Sequence, residues 1–297
     1  MKPALVVGGS GQVGYHLMRT FKNANLPVIG THLKNPQHDL IALDIVKEEA
    51  VKKLLTDIRP PVVYVPASLT NVEYCETHPE VGYEVNVVGI ANLVRWTNQI
   101  NAKIVYFSSD YIFDGKSGPY TEQDPANPIC VYGQQKLLAE HLVATHSQSF
   151  LIIRTTVVYG WEPQGKNFII RLQNTLAKNQ TLRVPIDQVG SPTYAPDLAQ
   201  ATLQLANTDH QGVFNIVGPQ QANRYEFALE AARAFALDPD LIQPVTTAEF
   251  NQIAPRPLNA GMTTTKTEVA LGRPLVAYQD GLRQMAHIQK DFLTGHQ

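Results

Sequence analysis

Val6-Val-Gly8-Gly-Ser-Gly11-Gln-Val-Gly14 decides how this chain folds. An apolar run, Ala4–Val7, leads into it, and a helix-like stretch, Gly14–Asn23, leads out of it. The glycines read as G-x-G-x-x-G from Gly9 or as G-x-x-G-x-x-G from Gly8, and both spacings serve one purpose. Residues without a Cβ permit a tight strand-to-helix turn and let a pyrophosphate reach the free N–H groups at the helix N-terminus. A plain βα turn has no need of three spaced glycines. The motif therefore predicts a dinucleotide site contacted by Gly8, Ser10, Gly11, Gln12, Val13 and Gly14.

Strand-like and helix-like segments alternate through the first half. Pro27–Gly30, Val62–Val65, Lys103–Phe107 and Phe150–Arg154 are short β-branched or aromatic runs, and Glu48–Ile58, Pro79–Gln99 and Val131–Thr145 are helical stretches between them. This alternation predicts an α/β fold, a Rossmann-type doubly wound parallel sheet. The second half is broken by Pro163, Pro185, Pro192, Pro196, Pro219, Pro244, Pro255 and Pro257, which predicts a smaller lobe of loops and short helices. No long polar linker separates the halves, so the lobes are expected to interleave around one cleft. Residues 1–160 are read as the NAD(P)-binding domain, rejoined by about 185–218, with 161–184 and 219–297 as the C-terminal substrate-binding lobe.

The chain has 297 residues, 44% hydrophobic and 17% charged, which suits one large α/β unit or two interleaved lobes. Its net charge of −2, with no basic stripe, argues against nucleic acid as a partner. The apolar stretches are strand-sized, so no membrane span is expected. Met1-Lys-Pro runs straight into the first strand without a signal-peptide plan, and Cys75 and Cys130 form neither a metal nor a disulfide framework. A reducing, cytoplasmic setting is the expectation. His141 and His146 lack an acidic partner at ligand spacing and are read as surface residues.

Ile129-Cys-Val-Tyr132-Gly-Gln-Gln-Lys136-Leu-Leu-Ala-Glu140 reads as helix, with Tyr132 and Lys136 one turn apart on one face. An ammonium near a phenol is expected to move its titration toward neutrality, and a hydroxyl such as Ser109 to hold a carbonyl oxygen. Beside a nicotinamide, Ser109, Tyr132 and Lys136 would move a hydride on or off a carbon bearing oxygen. The second strand ends Gly30-Thr-His-Leu-Lys34 with no acid before Asp39, so Thr31, His32 and Lys34 favour a 2′-phosphate and hence NADPH, with NADH as the alternative. Asp44, beside Ile45, is placed either to cap the adenine amino group or to N-cap the helix starting near Lys47.

Three blocks carry a resemblance: the glycine turn, Ser108-Ser-Asp-Tyr-Ile-Phe-Asp-Gly115, and Pro128-Ile-Cys-Val-Tyr-Gly-Gln-Gln-Lys136. Together they resemble the extended short-chain dehydrogenase/reductases, and within them the dTDP-4-dehydrorhamnose reductase branch. Arg154-Thr-Thr-Val157, Asn167-Phe168, Asp187-Gln-Val-Gly-Ser-Pro-Thr193 and Arg256-Pro-Leu-Asn259 resemble further segments of that branch, in the same order. The resemblance implies reduction of a nucleotide-linked 4-keto-6-deoxy sugar, with Tyr132 as general acid, Lys136 on the nicotinamide ribose and lowering the Tyr132 pKa, and Ser109 as the hydroxyl residue. It adds Ile45, Ala67, Ser68, Asn86, Tyr132 and Lys136 to the cofactor contacts. Tyr111, Val157, Asn167, Phe168, Arg256 and Asn259 are implied for the substrate, with Arg256 and Asn259 toward a nucleotide diphosphate and Phe168 open to a plain core reading. Arg154 is read as structural. Dehydratases of the superfamily carry Asp-Glu where this chain has Asp110-Tyr111, so ketone reduction fits better than elimination.

Three departures accompany the resemblance. Val157 replaces an aromatic residue, with Trp161 available to fill the gap; Pro66 stiffens the turn after the third strand; and His16 stands where some members place a Mg²⁺-binding Glu, so no metal is expected. Two other readings stay open: a nucleotide-sugar epimerase or dehydrogenase, and a non-catalytic NADP-binding regulatory subunit of the kind the same branch contains. A homodimer is open as well.

Overall fold

The structure, a computed structural model, describes residues 2–289 and 292. β1 (Ala4–Val6) passes through the glycine turn into α1 (Gln12–Asn23), followed by β2 (Val28–His32), β3 (Leu40–Ala42), α2 (Glu48–Ile58) and β4 (Val62–Val65). Next come α3 (Val72–Thr77), α4 (Pro79–Tyr83) and α5 (Gly89–Gln99), with a π-helical turn over Glu84–Val88 joining α4 to α5. β5 (Lys103–Ser109), α6 (Val131–His146) and β6 (Phe150–Thr155) close the first half. The second half runs β7 (Val158–Tyr159), α7 (Phe168–Leu176), β8 (Leu182–Pro185), β9 (Val189–Gly190), β10 (Thr193–Tyr194), α8 (Ala195–Ala206) and β11 (Gly212–Asn215). It ends with β12 (Ala222–Asn223), α9 (Arg224–Ala234), β13 (Ile242–Val245), α10 (Thr247–Phe250), α11 (Thr265–Leu271) and α12 (Tyr278–His287).

Seven strands form one sheet in the order β11-β6-β5-β4-β1-β2-β3, every neighbouring pair parallel. The chain leaves β1 for β2 on one side and returns to β4 on the other. A doubly wound sheet opens a crevice at the carboxyl ends of the strands where the order reverses. Side chains alternate across the sheet with period two. Leu5, Val63, Ile104 and Ile152 pack under α2, α5 and α6, while Val6, Tyr64, Val105 and Ile153 pack under α1 and α8. A separate core joins α7, α9 and α12 around Tyr159, Trp161 and Phe227. Leu271 and Leu275, from the span read as substrate lobe, pack into the cluster beneath the sheet instead.

The elements differ from the sequence reading in ways that matter for the site. β5 runs on to Ser109, which places that hydroxyl at the end of a central strand. The helix expected over Pro79–Gln99 carries the π-helical turn, with Asn86 inside it. The second half is more regular than its prolines suggest, with α8, α9 and α12 reaching 12, 11 and 10 residues. Pro196 sits in the first turn of α8, where no backbone donor is required. Among the described residues no helix is long and apolar enough to cross a membrane.

Candidate active site

The glycine turn is shaped by contacts a side chain would block. Gly8 has φ +92°, and a Cβ there would lie 3.0 Å from the Ala67 Cα. A Cβ on Gly14 would lie 2.1 Å from the Gly8 carbonyl oxygen. The turn is closed by the Gly11 N–H donating to Gly8 O at 3.0 Å, and Gly11 is the N-cap of α1. The result is a bare backbone cradle at a helix N-terminus, at the carboxyl end of β1 and beside the loop after β4. Such a cradle fits a pyrophosphate. Ala67 borders it directly, its N–H donating to Val7 O at 3.0 Å.

Several residues expected at this cofactor site are committed elsewhere. Thr31 is 1% exposed and its hydroxyl accepts from the Gly8 N–H at 3.1 Å, so it braces the turn from below rather than meeting a 2′-phosphate. His32 retains a buried Nδ1 without a partner, and Lys34 is exposed with no ion pair among the described residues. Asp44 accepts from the Val46 N–H at 3.0 Å, a local turn, while the N-cap of α2 is Lys47. Ile45 points inward against Gly89, and its carbonyl accepts from Asn92 Nδ2 at 2.9 Å. Val13 packs on the core. Gln12 Nε2 donates to Val158 O at 3.1 Å, and Gln164 Nε2 to Ser10 O at 2.6 Å, so chain from the second half lies across the turn.

Ser109, Tyr132 and Lys136 converge at the carboxyl end of β5, all buried. Lys136 Nζ donates to Phe107 O at 2.8 Å and lies 5.8 Å from the centre of the Tyr132 ring. Ser109 Oγ lies 3.0 Å from Asp110 Oδ1 and also hydrogen-bonds Tyr132. The Tyr111 ring stands edge-on to Tyr132 at 5.6 Å.

The electrostatics correct one expectation. Burial pushes the Tyr132 phenol above its ordinary value and Asp110 pushes the same way; the Ser109 hydrogen bond opposes both without prevailing. Burial also drives Lys136 down to about 7, despite the nearby Glu140 carboxylate, so its ammonium is only partly populated near neutrality. The net shift of the Tyr132 phenol is thus upward, opposite to the direction expected from a neighbouring ammonium. Asp110, fully enclosed, is raised mainly by burial, against hydrogen bonds to Thr156 and Ser109.

The expected substrate residues divide. Tyr111 lines the site, with the Arg256 guanidinium 5.7 Å from its ring centre. Arg256 pairs through Nη2 with Glu73 and keeps a buried Nη1 without a partner. Asn167 is an N-cap: its Oδ1 accepts from Ile169 and Ile170 and its Nδ2 donates to Gly160 O, which leaves it no free group for a sugar. Phe168 stacks on Phe227, the core reading. Asn259 donates from Nδ2 to Gly118 O at 3.1 Å and clasps the 115–120 loop. Val157 takes φ +46°, a left-handed conformation unusual for a β-branched residue. Trp161 does not fill the gap beside it: the indole is buried, donates to Met285 O at 2.7 Å and stacks on Phe292. Arg154 forms a buried two-pronged pair with Glu140, the structural role expected of it. The sequence reading missed Gln135, Gln164 and Glu73, and weighed Asp110 only as the first carboxylate of a pair whose second is absent.

His16 is buried against Gly160 and held near pKa 3, mainly by desolvation and then by Arg19, with a hydrogen bond to the Trp161 backbone opposing. The unfolded chain takes up this proton near its ordinary 6.5, the folded chain only near 3. Between those values the unfolded state binds more protons, so stability falls as pH falls. Thermal melts at about pH 7 and about pH 5 should show a drop in midpoint that is smaller in His16→Leu; an equal drop in both proteins would remove His16 as its source.

Residues 1–290 match a family model described as RmlD substrate binding domain. A dTDP-4-dehydrorhamnose reductase of Aggregatibacter actinomycetemcomitans is 32% identical, over 96% of this chain and 98% of its own. Methionine adenosyltransferase 2 subunit beta of Xenopus laevis is 30% identical, over 89% of this chain and 81% of its own. Among solved structures, dTDP-4-dehydrorhamnose reductase from Bacillus anthracis in complex with NADP superposes with a TM-score of 0.89 at 26% identity, covering 96% of this chain and 99% of that one.

Proposed function

The chain belongs to the RmlD substrate binding domain family, and from that premise we propose that it is an NADP-dependent reductase of a nucleotide-linked 4-keto-6-deoxy sugar. The observation that carries this reading is the placing of Ser109, Tyr132 and Lys136 at the end of β5, on the same edge of the sheet as the glycine cradle at the end of β1. NADPH, when bound, supplies the hydride. Gly8, Gly11 and Gly14 hold its pyrophosphate on the N-terminus of α1, with Ala67 and the loop beyond it as one wall, and His32 and Lys34 take the 2′-phosphate.

Ser109 holds the substrate carbonyl oxygen, and Tyr132 donates its proton to that oxygen as the carbon is reduced. A phenol kept protonated by burial is the state a reductase needs at the start of turnover; oxidation of an alcohol would need the phenolate. Lys136 accompanies the proton transfer with an ammonium poised near neutrality. Arg256 offers its free Nη1 to a diphosphate oxygen while Glu73 fixes the other edge of its guanidinium.

NADPH absorbance, followed with dTDP-4-keto-6-deoxyglucose and then with its epimerised product made in situ, tests the reading. Loss of NADPH with either keto sugar supports it. The second reading, a cofactor-binding regulatory subunit, draws on the similarity to methionine adenosyltransferase 2 subunit beta and on Val157 in its left-handed backbone. Tight NADPH binding with no oxidation by either sugar would favour that reading and end the first.

A further inference from the structure

Gln135, the residue before Lys136, is 3% exposed, and both ends of its amide are used. Its Nε2 donates to Pro79 O at 2.9 Å, at the start of α4, and its Oε1 accepts from Asn86 Nδ2 at 3.0 Å, inside the π-helical turn. Asn86 spends the rest of its amide on the loop after β4. Its Oδ1 accepts from Ser68 Oγ and the Leu69 N–H, both at 2.8 Å, and its Nδ2 also donates to Leu69 O at 3.1 Å. Ser68 and Leu69 follow Ala67, the residue packed against Gly8. A continuous polar chain thus runs from the helix bearing Tyr132 and Lys136, through Gln135 and Asn86, to the wall of the glycine cradle. Gln135 and Asn86 are both buried, which makes the bond between them costly to lose, while Ser68 and Leu69 are half-buried and Pro79 lies at the surface.

A glycine makes room for it. A Cβ on Gly82 would lie 2.6 Å from Gln135 Oε1 and 2.7 Å from Nε2. The π-helical turn adds one residue per turn of backbone at Asn86, an irregularity that tends to mark functional positions.

We propose that Gln135 is a positioning residue: by gripping Asn86 and Pro79 at once, it sets the 67–69 wall against α6 so that the cofactor is held in register with Lys136 and Tyr132. This rests on the reading of the glycine turn as an NADP site. Gln135 itself touches neither cofactor nor substrate.

NADPH titration by fluorescence, run beside thermal melts, tests it on five variants: Gln135→Ala, Asn86→Ala, Gly82→Ala, Asn86→Ala with Gln135→Ala, and Gly82→Ala with Gln135→Ala. Gln135→Ala should weaken NADPH about tenfold, and Gly82→Ala, remote from the cofactor, should do the same by displacing the Gln135 amide. Asn86→Ala on top of Gln135→Ala should weaken binding far less than the product of the two single effects, because they break one chain. The Gly82→Ala, Gln135→Ala protein relieves the crowding. Its melting temperature should return to that of Gln135→Ala while its NADPH affinity stays low. Affinity that recovers together with the melting temperature would reduce Gln135 to a packing role and overturn the proposal. So would a folded Gln135→Ala protein that binds NADPH as wild type does. Wild-type protein that binds no NADPH would overturn the cofactor reading and this proposal with it.

Discussion

Tyr132→Phe should lower keto-sugar-dependent NADPH oxidation about a hundred- to ten-thousand-fold, the range for loss of a general acid, while NADPH affinity and the melting temperature stay near wild type. The structure separates these effects. The phenolic hydroxyl is the only group the substitution removes, and the cradle at Gly8–Gly14 and the wall at Ala67 lie on other elements. Ser109 keeps Asp110 Oδ1 at 3.0 Å when the phenol is gone, so no hydroxyl is orphaned, and the stability change should stay within about 1 kcal/mol. The measurement is steady-state turnover beside an NADPH titration of the same variant. Undiminished turnover would move the acid elsewhere, and the nearest rival is Asp110, whose carboxyl burial makes a better proton carrier than an exposed aspartate. Tyr132→Phe combined with Asp110→Asn would then separate the two.

The parts of the site that were legible in the sequence are those set by local spacing. Three glycines between a strand and a helix, and Tyr132 and Lys136 one turn apart, specify their geometry within a few residues. What could not be read is pairing across the fold. Thr31 looks like a cofactor contact by its place at a strand end, but it serves Gly8, 23 residues away. Gln12 and Gln164 tie the turn to residues 146 and 154 positions distant, and Gln135 finds Asn86 across 49. Ile45 illustrates another failure: only the absence of a Cβ on Gly89, at the start of α5, leaves room for it to turn inward. Asn167 was legible as a polar residue before an apolar run, which is also the signature of an N-cap, and the structure assigns it that role. The doubly wound parallel sheet was legible from the alternation of strands and helices, its strand order was not, and the long helices of the second half were hidden by prolines such as Pro196 that fall at their edges.

Arg154→Ala should destabilise the protein by about 3–5 kcal/mol, the range for stranding one member of a buried ion pair. Arg154 and Glu140 are 7% and 5% exposed at their side chains and meet through two bonds, Nε to Oε1 at 3.0 Å and Nη2 to Oε2 at 2.8 Å. Arg154 Nη1 donates further to Glu122 O at 3.2 Å, and the guanidinium lies 5.4 Å from the Phe113 ring centre. Removal of the arginine strands the buried Glu140 carboxylate without its partner. The effect should appear in urea unfolding as a shifted midpoint at unchanged slope. Arg154→Leu with Glu140→Leu removes both charges and should recover most of the loss, because desolvation of the pair offsets much of its attraction. The pair also bears on chemistry. Glu140 lies one turn beyond Lys136 on α6, and its charge is the largest influence holding the Lys136 pKa up against burial. Glu140→Gln should therefore lower the Lys136 pKa further below 7, seen in the chemical shift of its ε-carbon. Arg154→Leu alone, which leaves the carboxylate in place, should not. A Lys136 titration that ignores Glu140→Gln would leave the pair as a clamp between α6 and β6 and nothing more.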